Sequence, residues 1–380
     1  MIRSYLPSWN RTRLLPFLLG VIALLLALNL VVLGLTFSTD SVGKRSVAGH
    51  LSDFPLPGSI SLCHEAIPLE NRRVLEMLDR EFTIAVWDRA QVFLWLKRAG
   101  RYFPYIEDKL AEAGMPDDLK YVAVAESALI ADIRSSKRAV GPWQFMSHTG
   151  RRYGLRKNRT IDERLDFEKS TEAAIKYLQR LHDKFGNWTL ALAAYNCGDA
   201  FLMREIRKQK VKDFYRLNLH AETERYIFRL AAIKIIMENP KRYGFYLPAE
   251  QLYPPSWHDT VQVKINQRLK LTDLALALNT DFKVIKELNP QLRRDYLPKG
   301  NYNLKVPPGC GPQVELALQK LGKGEPRKKE DGFASHYVVR KGDTLGRIAS
   351  QTGVSLITLR ELNGINGSTI WAGQKLRLTP

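Results

Sequence analysis

Cysteine is scarce. The 380 residues hold only Cys63, Cys197 and Cys310, far apart and without a CxxC pair, which argues against a disulfide framework or a structural zinc site and leaves room for one Cys63–Cys310 bridge. The seven histidines are scattered and form no HExxH-type ligand pair, so neither a metal nor a cofactor is expected. Acidic residues are also in deficit. Against 58 Lys+Arg stand 39 Asp+Glu, a net charge of +19, which favours an anionic partner such as nucleic acid, a phospholipid surface or an acidic cell-wall polymer. Nothing beyond charge supports nucleic acid: the basic run Arg327–Lys329 sits in a charged, low-hydrophobicity segment that reads as solvated linker.

What is present begins with one long apolar run. Leu14 to Phe37 contains no ionisable residue and as a helix would span about 36 Å, enough to cross a bilayer. Arg3, Arg11 and Arg13 precede it, which predicts an N-terminus held inside and everything after Ser38 outside the cytoplasm. A cleaved signal peptide is the alternative, but its apolar core runs to only about 7–15 residues, so a retained single-pass anchor in the inner membrane is expected. No cysteine follows the run at a lipidation site.

After the anchor, 39–68 is rich in Ser, Gly and Pro and reads as a tether. From 69 to about 250 apolar residues recur at helical spacing, as in Leu75, Leu78, Phe82 and Val86, or Ala174, Tyr177, Leu178 and Leu181, which predicts a mainly α domain. Beyond Pro254 short alternating strands bracket pairs of brief helices, a small α+β (βααβ) unit that occurs twice. Leu274-Ala275 and Ile348-Ala349 precede Leu288-Asn289 and Leu362-Asn363 by the same interval, 274 to 288 and 348 to 362. The units are placed at 258–308 and 336–380, with 309–335 as linker.

In the helix predicted to begin near Pro116, Leu119, Val122, Ala123 and Glu126 fall at i, i+3, i+4 and i+7, so a carboxylate shares an apolar stripe. Burial raises the pKa of a carboxyl group, as a proton donor to a glycosidic oxygen near neutral pH requires. Taken alone, the pattern more often marks a salt-bridged or partly solvated core glutamate than a catalytic one. Downstream, 141–154 mixes glycines, aromatics and an amide where the helical period stops. Trp143, Gln144, Tyr195 and Asn196 are the flat faces and fixed amides that sugar recognition uses, although Trp143 and Phe145 also suit a core.

Four ordered motifs resemble the soluble lytic transglycosylase family: Glu126-Ser127, Gly141-x-Trp143-Gln144-x-Met146, Ala194-Tyr195-Asn196-Cys197-Gly198 and Glu222-Thr223-x-x-Tyr226. The flanking segments 98–104 and 153–155 are similar to membrane-bound members, and the C-terminal unit resembles a LysM module, the unit before it a degenerate one. The resemblance implies a lysozyme-like fold over 69–250 and a cut at the β-1,4 bond between N-acetylmuramic acid and N-acetylglucosamine of peptidoglycan strands. Glu126 would be the single acid/base and the product a 1,6-anhydro sugar. It also implies a substrate cleft lined by Ser127, Ser135, Gln144, Met146, Tyr195, Asn196 and Tyr226, and LysM glycan contacts at Gly342, Asp343, Thr344 and Asn363. The catalytic and LysM units would then work in the periplasm or cell-wall space. Asp132, Asp162 and Asp166 are the nearby acids, expected as solvated or capping groups rather than as a second catalytic carboxylate. A hydrolytic muramidase and a non-catalytic peptidoglycan-binding scaffold are the alternatives. Leu129 departs from the pattern, standing where an aromatic is common.

Overall fold

Residues 54–322, 324–326, 336–352, 354, 356–365 and 367–378 are described by the structure, a computed structural model. A small hairpin, β1 (Ser61–Leu62) and β2 (Glu65–Ala66), leads into α1 (Arg72–Trp87), α2 (Arg89–Glu112), α3 (Lys120–Ser127), α4 (Ser147–Arg152), α5 (Phe167–Phe185), α6 (Trp188–Cys197), α7 (Asp199–Gln209) and α8 (Ala221–Glu238). Local chemistry sets many of the ends. The side chains of Asn71, Asp88, Asp166 and Asn187 accept first-turn N–H groups of α1, α2, α5 and α6, and Gly186 closes α5 in the left-handed region. The helix expected at Pro116 starts instead as a 3-10 turn over Asp117–Leu119. Asp118 there accepts from Lys234 Nζ at 2.8 Å and from the backbone N–H of Cys63 at 2.6 Å, a tertiary lock rather than a response to the helix dipole.

α8 is the buried axis of this helical domain. Tyr226, Ile227, Leu230, Ala231, Ala232, Ile233 and Ile236 are each at most 1 % exposed, so the helix is apolar nearly all round and other helices pack on several of its faces, α1, α3 and α6 among them. Small residues let backbones approach: Ala191, Ala193 and Ala194 of α6 are fully enclosed. These contacts bring the ends of α3 and α6 to the first turns of α8, where the candidate residues lie.

The first βααβ unit runs β3 (Asp259–Ile265), β4 (Leu269–Lys270), α9 (Leu271–Ala277), α10 (Phe282–Leu288), β5 (Tyr296–Leu297) and β6 (Gly300–Val306), with β3 and β6 antiparallel from Asp259↔Val306 to Ile265↔Gly300. It extends further than expected. α11 (Gly311–Lys320) buries Val314, Ala317 and Leu318 in the same core, and β7 (Gly324–Pro326) pairs with the other edge of β3, giving the order β6-β3-β7. Part of the stretch read as linker is therefore folded, because 314, 317 and 318 form an apolar helical stripe. The second unit comprises β8 (His336–Val338), α12 (Leu345–Thr352), α13 (Leu356–Leu362) and β9 (Lys375–Arg377), with His336 opposite Arg377.

One asparagine performs the same task in each unit. Asn289 donates to Ile285 O (2.8 Å) and Lys305 O (2.6 Å) and accepts from Lys305 N (2.9 Å). Asn363 donates to Leu359 O (2.7 Å) and Arg377 O (2.9 Å) and accepts from Arg377 N (2.7 Å). Each clasps the end of a helix to the closing strand, and this shared bracket explains the repeated Leu-Asn.

The first unit is seamed to the helical domain. Ile161 and Leu292 form an antiparallel bridge, Asp162 N donates to Gln291 O (2.9 Å) and Arg293 N to Thr160 O (2.8 Å). Beside it Lys305 Nζ meets Asp166 Oδ1 at 3.2 Å and Glu168 Oε2 at 3.4 Å, with His258 Nε2 3.1 Å from Glu168 Oε1. The second unit shares a core with the helical domain through Tyr105 and Phe167.

One expectation needs correction, and one open question is answered. Among the described residues no helix is long and apolar enough to cross a membrane. The longest, the 24-residue α2, carries Arg89, Lys97, Arg98, Arg101, Glu107, Asp108, Lys109 and Glu112, charges that a bilayer core would reject. The transmembrane helix, the single-pass inner-membrane placement and the membrane as partner thus find no support among the described residues; the run 14–37 that suggested them lies outside those residues, as do the stub 1–38 and residues 39–53 of the tether. Cys63, Cys197 and Cys310 are all free thiols, so no Cys63–Cys310 bridge forms.

Candidate active site

Leu119, Val122 and Ala123 are buried, and Glu126 follows them on the same stripe of α3. The helix ends immediately afterwards. Ala128 and Leu129 both have positive φ, 52° and 59°, a conformation that costs a non-glycine residue about 1–2 kcal/mol. The surroundings hold it: Leu129 is 1 % exposed, and Arg98 Nη1 donates to Ala128 O at 3.1 Å.

Tyr226 Oη donates to Glu126 Oε1 at 2.7 Å. Burial pushes the Glu126 carboxyl up to about 7, the Tyr226 hydrogen bond and the Arg229 charge draw it down, and the Glu222 charge raises it. The residue nonetheless keeps an intermediate exposure, so it stands in a cleft rather than a sealed core. Tyr195, whose phenol is held well above its ordinary pKa by burial and then by the charge of Glu126, donates to Trp143 O at 2.7 Å. Behind it the rings of Tyr177 and Tyr153 follow at 5.2 and 5.0 Å centroid separations, forming an aromatic wall. Asn196 Oδ1 accepts from Thr223 Oγ1 at 2.9 Å, pinning the end of α6 to the first turn of α8.

The other positions vary in what they offer. Gln144, at φ 47°, turns its Nε2 back to Gly141 O at 2.8 Å. Gly141 itself has φ 84°, and a Cβ there would lie 1.9 Å from Arg164 O, so glycine is required. Met146 is exposed. Ser135 Oγ accepts from Ala139 N at 3.0 Å within a loop joined to the 141–146 turn by the Val140↔Phe145 bridge. Ser127 is buried, its hydroxyl donating to Ala123 O at 2.9 Å in its own helix. Trp143 is fully buried with Nε1 donating to Thr171 Oγ1 at 2.9 Å, a core residue rather than a cleft wall. Tyr195, Tyr226 and Glu126 thus form one electrostatic group, whereas Ser127 and Ser135 bond within their own segments.

Among the neighbouring acids, Asp162 receives both Arg164 Nε (2.9 Å) and Nη2 (2.8 Å), Asp166 caps α5 and meets Lys305, and Asp132 is exposed. Sequence reasoning missed Glu222 and Arg229 as groups acting on Glu126. They lie four residues before and three after Tyr226, hence on its face of α8, a spacing that could have revealed them. Glu222 pairs with Lys137 at 3.5 Å, and Arg229 Nε lies 3.6 Å from Glu81 Oε2. Among the described residues no group of three or more His, Cys, Asp or Glu side chains could hold a metal ion. A polar groove of 170 Å³ at the seam is lined by Arg156, Lys169, Gln262, Asn301 and Asn303 and shares no residue with the Glu126 group.

In the second βααβ unit Gly342 has φ 88° and Asp343 Oδ2 accepts from Tyr337 Oη and Arg340 N, both at 2.8 Å. Thr344 Oγ1 caps α12 by accepting from Arg347 N at 3.2 Å. Asn363 commits its amide to the bracket described above.

Residues 104–218 match the transglycosylase SLT domain, 259–323 the LysM-like domain of lytic transglycosylase MltD, and 337–379 the LysM domain. The chain is 31 % identical over 295 residues to membrane-bound lytic murein transglycosylase D of Escherichia coli (strain K12), covering 74 % of this chain and 64 % of that protein. It therefore spans just under two thirds of the length of that curated relative. Its C-terminal part is 51 % identical over 47 residues to an autolysin of Enterococcus faecalis, 12 % of this chain and 6 % of that one. A solved structure, the 70 kDa soluble lytic transglycosylase of Escherichia coli, overlaps 47 % of this chain and 33 % of its own at 18 % identity, with a TM-score of 0.32. The chain thus carries a transglycosylase SLT domain followed by an MltD-type LysM-like domain and a LysM domain, and over most of its length it is similar to membrane-bound lytic murein transglycosylase D.

Proposed function

We propose that the protein is a peptidoglycan lytic transglycosylase with Glu126 as its single acid/base, acting in the cell-wall space. The observation that carries this reading is Glu126 itself: an enclosed carboxyl group, raised to about 7 by burial and held at 2.7 Å by the Tyr226 hydroxyl, at the end of a rigidly terminated helix. A carboxyl with that proton affinity is protonated at the start of a reaction near neutral pH and can take the proton back later. Glu126 donates to the β-1,4 glycosidic oxygen between N-acetylmuramic acid and N-acetylglucosamine, breaking the C–O bond. The muramyl N-acetyl oxygen supports the anomeric carbon. Glu126, now a carboxylate, removes the proton from the sugar's C6 hydroxyl, whose oxygen closes on the anomeric carbon to give the 1,6-anhydro ring.

Tyr226 orients the carboxyl and, as an unionised donor, stabilises its anionic form after the first transfer. Arg229 favours the same charged form. Tyr195, Asn196, Gln144 and Met146 shape the cleft, with Ser127 and Ser135 supporting it from within their segments. A second, activating carboxylate is what standard glycosidases add; here the acid whose charge reaches Glu126 is Glu222, which is exposed and paired with Lys137. In the LysM domain the loop Gly342–Thr344 offers the glycan contacts, and Asn363 supports it through its bracket.

The test is mass spectrometry of muropeptides released from purified sacculi by the protein and by its Glu126→Gln variant. Anhydro products that disappear in the variant are expected. Reducing-end products would replace the reading with a muramidase, and binding without release would leave a scaffold.

A further inference from the structure

The LysM domain rests on α2 in an unusual way. Tyr105 joins its core together with Leu345, Ile348 and Leu359. Beside it Arg360 Nη2 meets Asp108 Oδ1 at 2.5 Å, and one turn further Thr344 Oγ1 donates to Glu112 Oε1 at 3.2 Å. Gly346 seats against the same carboxylate: a Cβ there would lie 1.8 Å from Glu112 Oε1 and 2.6 Å from Lys109 Nζ. The contact is imperfect. Asp108 Oδ2 and Arg360 Nε are buried without hydrogen-bond partners, a configuration that weakens a docked pair relative to its separated, hydrated parts.

We propose that Glu112 occupies, from within the chain, the position that a glycan hydroxyl or N-acetyl group takes at the LysM loop, so that docking on α2 and glycan binding at Thr344 exclude one another. The proposal rests on reading Gly342–Thr344 as a glycan-contacting loop. Thr344 has one hydroxyl proton, and in this arrangement it points at Glu112; a sugar oxygen can accept it only after Glu112 withdraws. The partly unsatisfied Asp108–Arg360 pair makes withdrawal affordable, because both groups regain water on separation. The LysM domain thus has a docked form, covered by α2, and a glycan-bound form released from it.

The experiment measures binding of an N-acetylglucosamine pentamer to the full chain carrying Glu126→Gln, which keeps the ligand intact, by isothermal titration calorimetry. Glu112→Ala and Gly346→Ala are introduced separately and together. Each single change removes the competing carboxylate from Thr344 and should tighten binding at least about fivefold, the low end of typical coupling between linked equilibria. The double variant should bind no tighter than either single one, since both act on the same contact. Affinities unchanged in both single variants, or gains that multiply in the double variant, would overturn the competition. Absence of binding by any form would remove the glycan reading of the loop and the competition with it. Hydrogen exchange of the unmutated chain provides a check independent of any variant's folding: the pentamer should speed exchange at 105–112, and unaltered protection there under saturating ligand would overturn the proposal.

Discussion

Glu126 is subject to opposed pulls, and their balance sets two measurable pH dependences. Burial raises its pKa to about 7 against an ordinary 4.5, and Tyr226 and Arg229 limit the rise. Because the folded state holds this proton more tightly than the unfolded chain, stability contributed by the protonated form is lost as pH rises from about 4.5 to 7. Glu126→Gln should therefore gain about 1–3 kcal/mol in urea unfolding at pH 8 and little at pH 4, while abolishing cleavage. In the unmutated enzyme kcat/KM should fall as pH rises through about 7, as the donor form disappears. At this scale the sequence was informative about Glu126, because the i, i+3, i+4, i+7 pattern encodes burial. It was ambiguous about Trp143, whose indole suits a sugar platform and a core equally until Thr171, 28 residues away, supplies its hydrogen-bond partner. Asn363 shows the same limit: an asparagine after a helix looks available until the strand it clasps is in place.

The elements of the site are held by their ends. α3 terminates in two consecutive left-handed residues, and the 141–146 turn passes Arg164 so closely that only glycine fits at 141. Gly141→Ala should cost more than about 3 kcal/mol, since a clash with backbone is added to an unfavourable φ. Thermal unfolding followed by circular dichroism would measure it, and a loss below about 1 kcal/mol would mean the turn can yield. Helix existence followed from apolar periodicity throughout 69–250, and the βααβ repeat from its spacing. α11 escaped because its short stripe, Val314, Ala317 and Leu318, lies beside a long charged segment that dominates the composition. The membrane helix was inferred from the apolar run 14–37 and the arginines before it, all outside the described residues, among which no helix is long and apolar enough to cross a membrane.

At the scale of the whole molecule, the seam between the helical domain and the first βααβ unit was hidden from the sequence. It joins residues more than a hundred positions apart, Ile161 with Leu292 and Asp166 with Lys305, and a lone lysine in a strand reads as surface. Burial disfavours the charge of Lys305, but Asp166 and Glu168 overcome that and hold its pKa above the ordinary value. Lys305→Met takes the shared ammonium from Asp166 and Glu168, leaving only His258 beside Glu168, and should destabilise the seam by about 3–5 kcal/mol. Calorimetry should then resolve two melting transitions against one expected for the unmutated chain; a single unshifted transition would mean the backbone bridge alone suffices.

The seam also bears on measurement in the literal sense. A module on a loose tether samples many separations from the cutting residue, whereas one zipped to the body by backbone bonds and a buried lysine has a single one. Anything bound on the first unit would therefore stand at a set span from Glu126, a caliper opening written into the fold.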